Sequence, residues 1–175
     1  MKFKKSHIKY LLLLIGLALL IFLLIQRIPR VFIFIGLTLL TSVLVLLNYL
    51  TQLPLDFSSV FFLSLVITST LGFGYTVLFV ILSGFIPALF IGGFKPSSFV
   101  YISVNLVLNL VSITLNFNFS MEGIILSFLY FLFTGLINGA MESRITPNLL
   151  MGLISFGINV IYFWKLGPIL LSILG

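Results

Sequence analysis

Residues 53–93 read LPLDFSSVFFLSLVITSTLGFGYTVLFVILSGFIPALFIGG, and this stretch decides the fold class. Two apolar runs, 57–71 and 75–92, are separated only by Gly72, Phe73 and Gly74. Because glycine accepts the positive φ that ends a helix abruptly, the short turn predicts two antiparallel helices packed closely together. The first run is shorter than the 17 to 25 residues, roughly, that span a bilayer, so a re-entrant hairpin is the alternative.

The rest of the chain has the same apolar character. The 175 residues are 61% hydrophobic and 7% charged, with a mean hydropathy of +1.36, whereas about a quarter of an ordinary soluble domain is charged. We therefore predict an all-α, polytopic transmembrane helix bundle of about six to seven spans, integral to the membrane and located in the cell membrane. The candidate spans are residues 10–26, 31–50, 57–71, 75–92, 98–116, 122–140 and 147–164.

Two parts of the chain differ in polarity. Residues 1–30 form a basic N-terminus and a first span that is apolar all round, which predicts a peripheral, lipid-facing helix. Residues 31–175 form the predicted main transmembrane bundle. Its apolar tail, 165–174, either prolongs the last helix past Pro168 with a kink or lies at the interface.

Composition excludes several kinds of chemistry. The chain has no Cys, its one His is His7 in the basic tail, and its one Asp is Asp56, so we expect no metal site, catalytic residue or cofactor. The net charge of +6 comes from residues at the span ends, which favours membrane lipids and not nucleic acid as partners. We expect a protein that is not an enzyme; a small membrane enzyme using Glu142 and Arg144 is a third hypothesis.

Polar residues recur at intervals of three and four on the spans after the first, so they line one face of each helix. The strongest stripes are Ser98, Tyr101, Asn105, Asn109, Ser112 and Asn116 on the fifth span, Tyr130, Thr134, Asn138 and Glu142 on the sixth, and Asn148, Gly152, Ser155, Asn159 and Tyr162 on the seventh. Weaker stripes are Thr38, Thr41, Asn48 and Gln52 on the second, and Ser64 and Thr68 on the third.

Such stripes must face one another or water, because an unpaired polar group in hydrocarbon costs several kcal/mol. One interpretation is interhelical hydrogen bonding, at about 0.6 kcal/mol per contact. The other is a cavity that binds a small polar molecule. For that cavity the candidate substrate-binding residues are Asn105, Asn109, Asn138, Asn159 and Glu142.

Small residues mark where helices approach closely. Gly84, Ala88 and Gly92 are spaced by four on the fourth span, and Gly135 and Gly139 form a GxxxG step on the sixth. Internal packing is one interpretation, and a docking face for another transmembrane subunit is the other. Pro87 should kink its helix and free a carbonyl group.

The Pro-containing loop, Gly-x-Gly-like turn and small-residue-rich helix of residues 53–93 resemble the early part of S components of energy-coupling-factor vitamin transporters. MreD-type membrane proteins look similar there. The C-terminal stretch with Asn138, Asn148 and Asn159 is compatible with either family. The resemblance implies a compact bundle of six helices from Val31 onward that binds a small molecule near one face and docks a transmembrane partner through small residues.

We therefore expect a non-enzymatic membrane component that binds or transports a small solute together with separate energy-supplying subunits. The alternative is a structural or scaffold subunit of a larger membrane protein complex, in which the polar stripes only hold helices together.

Overall fold

The computed structural model describes residues 30–51, 59–92, 95–115, 117–142 and 145–174, with backbone only for residues 142, 145–148 and 151. All regular structure in these ranges is helical, so the all-α prediction is confirmed. The helices are α1 (Arg30–Thr51), α2 (Val60–Leu71), α3 (Phe73–Phe90), α4 (Pro96–Ser112), α5 (Phe119–Glu142) and α6 (145–174). The predicted first helix and the division at residue 30 lie outside the described residues.

Four of these helices are long and apolar enough to cross a membrane. They contain the segments Arg30–Thr51, Phe73–Phe90, Phe119–Met141 and Gly152–Leu174. The other two, α2 and α4, are apolar but have 12 and 17 residues, and a 12-residue helix is only about 18 Å long. These features are compatible with an integral membrane protein, while the total of six to seven spans stays a prediction.

The short helix α2 lies at the centre of the bundle. Its residues 61–68 are all buried, and α2 contacts each of the other five described helices. A helix that is apolar all round is expected to be buried in this way. Phe62 packs edge-on against Phe163 of α6, with ring centroids 4.9 Å apart, and Phe61 stacks on Tyr130 of α5 at 4.4 Å. The apolar core is therefore built around one half-length helix.

The glycine turn between α2 and α3 has the geometry that the sequence predicts. Gly72 adopts φ 95° and ψ 164°, a region open almost only to glycine. Its N–H donates to the carbonyl of Ile67 at 3.1 Å, which closes the last turn of α2. Because glycine adopts this backbone conformation without strain, the chain reverses within one residue, and α2 and α3 pack against each other as a tight hairpin.

Two π-helical segments interrupt the long helices α3 and α6. They are Ile81–Phe85 and Tyr162–Leu166, and each ends two residues before a proline, Pro87 and Pro168 respectively. Proline lacks an N–H and crowds the carbonyl four residues earlier, so a wider turn relieves the helix there. The chain remains helical beyond Pro168 as far as Leu174, which is the first of the two alternatives for the tail.

Glycines on α5 and α6 let large side chains reach across between these two helices. A Cβ added to Gly123 would overlap the ring of Phe163, and a Cβ on Gly152 would lie 2.7 Å from Phe131 Cδ2. Gly135 is close to Leu149, whose Cδ2 would be 2.9 Å from an added Cβ. Helices α5 and α6 therefore contact each other through phenylalanine and leucine side chains that pack directly against glycines of the opposite helix.

Candidate functional site

A cavity of about 530 Å³ opens at the end of the bundle where α2 and α4 begin. Its wall includes Ser59, Val60 and Phe61 at the start of α2, and Lys95 and Ser98 at the start of α4. All six described helices contribute residues to this wall. The volume lies within the range of about 300 to 1,000 Å³ that is typical of small-molecule sites.

Two residues that line the cavity carry buried polar atoms without hydrogen-bond partners. Ser127 of α5 is 1% exposed and Asn159 of α6 is 8% exposed, and both residues line the cavity. Neither Ser127 Oγ nor Asn159 Oδ1 has a hydrogen-bond partner within the described part of the chain. Most buried polar atoms are paired, and leaving one unpaired costs about 1–3 kcal/mol. Such atoms are suited to pair with a bound molecule.

A second group of polar side chains, by contrast, is closed upon itself. We call Ser64, Thr68, Thr76, Asn105 and Asn109 the paired cluster. The Ser64 hydroxyl donates to Asn105 Oδ1 and accepts from Asn109 Nδ2, both at 2.9 Å. Thr68 Oγ1 lies 2.6 Å from Asn109 Oδ1 and 2.6 Å from Thr76 Oγ1. The cluster joins α2, α3 and α4 through hydrogen bonds.

Of the five candidate binding residues, three belong to these two environments, and Asn138 belongs to neither. Asn105 belongs to the paired cluster and also lines the cavity, whereas Asn109 is fully buried in the cluster and is not part of the wall. Asn159 is on the wall. Asn138 is 1% exposed, and neither of its amide atoms has a partner among the described residues. Glu142 ends α5, and its side chain lies outside the described residues.

The small-residue set has mixed surroundings. Ala88, Gly135 and Gly139 are buried within the chain, Gly84 lines the cavity, and Gly92 is exposed with φ 65° at the end of α3. Gly135 contacts Leu149 of the same chain, as internal packing requires. Docking of a partner through this set stays a prediction.

Aromatic rings form the apolar part of the cavity's wall. Phe61 and Tyr130 stack at 4.4 Å, and Phe131 and Phe156 lie nearly parallel at 6.3 Å; all four line the cavity. No polar pattern points to these phenylalanines in the sequence.

Sequence reasoning also missed Ser127 and Lys95 as wall residues. Ser127 precedes Tyr130 by three residues, so the stripe on α5 could have been extended to it. Lys95 is the N-cap of α4, where its backbone N–H donates to Ser98 Oγ at 3.2 Å.

A second cavity, of about 370 Å³, lies at the opposite end of the bundle, where α2 and α4 end and α5 begins. Thr68 and Glu122 are part of its wall. Since Thr68 belongs to the paired cluster and Asn105 of the same cluster lines the first cavity, the cluster stands between the two cavities.

In comparisons with known proteins, no protein-family model, curated protein or solved structure matches the chain.

Proposed function

We propose that this chain is a non-enzymatic, multi-pass component of the cell membrane that binds a small solute in the larger cavity, in the manner of an S component. The observation that carries the proposal is that two residues lining the cavity, Ser127 and Asn159, each carry a buried polar atom, Oγ and Oδ1 respectively, with no partner among the described residues. A protein that only held its helices together would gain from pairing them, as it pairs the side chains of the neighbouring cluster.

In this proposal the six described helices cross the membrane, and residues 10–26 add a peripheral seventh span. The shortest helix, α2, is shielded from lipid because its neighbours surround it. The cavity then lies within the membrane at one end of the bundle, next to the start of α2. A solute there would be enclosed by protein and reached from one side of the membrane.

Uptake of a solute also requires energy, and the sequence holds no nucleotide-binding motif of the Walker type. We therefore propose that separate transmembrane subunits supply it. Large apolar side chains such as Phe32, Phe90 and Trp164 are more than 60% exposed, which suits contact with lipid or with such a subunit.

The test is to purify the full chain in a mild neutral detergent and look for co-purified small molecules by native mass spectrometry, followed by release in organic solvent. Asn159→Leu removes the unpaired amide from the wall and should lose the bound molecule. Asn118→Leu is the matched control, since Asn118 is exposed in the α4–α5 loop, where it accepts a hydrogen bond from the N–H of Ser120. Equal mass spectra for wild type and Asn159→Leu, with no small molecule released from either, would reject the proposal.

The scaffold alternative has one observation in its favour: the paired cluster is what a purely structural polar stripe requires. It expects a stable, stoichiometric membrane partner after purification and no effect of Asn159→Leu on that assembly. Because a transport component also keeps partners, the small-molecule measurement decides between the two.

A further inference from the structure

Among the described residues, the wall of the larger cavity carries one charged side chain, and it is positive. This residue is Lys95, which is exposed at the start of α4. The N-terminus of this 17-residue helix adds about half a positive elementary charge through the helix dipole. Lys95 carries a flexible four-carbon stem that can turn towards a bound anion. An anionic group is therefore favoured at the mouth.

The deep wall offers hydrogen bonds instead of charge. Asn105 lies ten residues beyond Lys95 on α4, about 15 Å further into the bundle. Ser127 and Asn159 line the same cavity, with the unpartnered Oγ and Oδ1 atoms described above. A hydroxyl both donates and accepts, and an amide presents both kinds of group. A ligand group that itself donates and accepts would satisfy this wall.

Flat apolar surfaces complete the wall. The rings of Tyr130 and Phe61, stacked on each other, and of Phe131 and Phe156 line the cavity together with Tyr101. Aromatic rings prefer offset stacking or edge contacts with another ring. The body of the ligand is thus expected to be flat and apolar.

We infer that the cavity takes a small amphipathic anion, with a carboxylate or phosphate near Lys95, a flat apolar body against the aromatic rings of the wall, and a polar group facing Ser127 and Asn159. This inference rests on the proposed function and names the class of its solute. The anionic group could come from a free solute or from an anionic lipid, and the experiment separates the two.

The test uses three probes that share one ring and differ in charge: indole-3-acetate, indole-3-acetamide and tryptamine. The full chain in neutral detergent is titrated with each, and affinity is measured by thermal shift and by native mass spectrometry. Indole-3-acetate should bind most tightly and tryptamine most weakly. Lys95→Gln should weaken indole-3-acetate about tenfold, roughly the effect of one charge-assisted hydrogen bond, and leave indole-3-acetamide unchanged.

Lys165→Gln is the matched control. Lys165 lies on α6 with its Nζ 4.5 Å from the centroid of the Trp164 ring, and it is not among the residues lining the cavity. This substitution should change none of the three affinities. Circular dichroism on both variants establishes that each is folded.

Nanodiscs of phosphatidylcholine, with and without phosphatidylglycerol, identify the source of the anion. If phosphatidylglycerol adducts form on the wild type, compete with indole-3-acetate and are lost in Lys95→Gln, the anionic group belongs to a lipid. If indole-3-acetate binds equally well in both nanodiscs, it belongs to a free solute.

Tryptamine binding as tightly as indole-3-acetate, or equal effects of Lys95→Gln and Lys165→Gln, would overturn the anionic class while leaving the proposed function standing. Binding of none of the probes would also overturn the class, and the co-purification experiment then judges the proposed function separately.

Discussion

The paired cluster and the part of the cavity's wall that α5 and α6 form contain the same kinds of polar side chain. Only in the paired cluster do these side chains hydrogen-bond to one another. In the cluster, the side chains of Asn109, Ser64 and Thr68 bond one another across α2 and α4. On the wall, Ser127 Oγ and Asn159 Oδ1 are equally buried but have no partner within the described chain. Neither burial nor the lack of a partner is sufficient alone to mark the candidate site, because Asn138 is also buried and unpartnered but does not line the cavity; Ser127 and Asn159 combine a missing partner with a place on the wall.

The two regions also differ in how their helices are held. Hydrogen bonds join α2, α3 and α4, whereas α5 and α6 meet through side chains seated on glycines. Apolar packing can fix helix positions without using the polar groups of the wall, which leaves those groups available to a ligand. Substitutions in each region test this contrast. For each variant, the free energy of unfolding is measured by reversible unfolding in mixed micelles, followed by circular dichroism.

The largest effect is expected where the α5–α6 contact has no spare space. Gly123→Ala should lower the free energy of unfolding by about 3 kcal/mol, because the new methyl group would overlap the Phe163 ring. Gly157→Ala, on α6 with open space around it, should cause no loss. If both alanines are tolerated equally, glycine packing does not hold this pair of helices.

Breaking the paired cluster should have the next largest effect. Asn109→Leu removes hydrogen bonds to Ser64, Thr68 and Asn105, and at about 0.6 kcal/mol for each of three partners the expected loss is about 2 kcal/mol. Unchanged unfolding of this variant would show that the cluster contributes nothing measurable.

The same substitution on the wall should act in the opposite direction. In protein stripped of small molecules, Asn159→Leu should raise the free energy of unfolding by about 1 kcal/mol, since it removes a buried acceptor that has no protein partner. A loss as large as that of Asn109→Leu would mean that Asn159 is paired within the protein.

Two buried serines provide the smallest and most closely matched comparison. The hydroxyl of Ser83 donates to the carbonyl of Phe79 at 2.6 Å, whereas Ser127 Oγ has no partner in the described structure. Ser83→Ala should cost about 0.6 kcal/mol, and Ser127→Ala should cost nothing. Equal losses at the two positions would remove the distinction between them.

The spacing of polar residues predicted which side chains face inward, but not which of them would be paired. Asn105, Asn109, Asn138 and Asn159 are all at most 8% exposed, as their stripes require. Whether a buried polar side chain finds a partner depends on whether the central helix α2 places a polar residue beside it. Ser64 and Thr68 on α2 face the asparagines of α4, while no residue of α2 hydrogen-bonds to Ser127 or to Asn159 Oδ1.

Other features of the site leave little trace in a single sequence. The length of the 57–71 run suggested a short span or a hairpin, but the cavity at its beginning follows only from how the helices are arranged around it. The phenylalanines of the wall cannot be told by composition from those of the core. Gly72, in contrast, was predictable, because few residues other than glycine adopt its backbone conformation.

The most direct test of the account is an experimental density map, at side-chain resolution, of the full chain purified from its native membrane. We expect density for a molecule larger than water in the cavity, within hydrogen-bond distance of Ser127 Oγ and Asn159 Oδ1. Closure of α5 and α6, so that these two atoms bond to protein, or density for water alone, would contradict it.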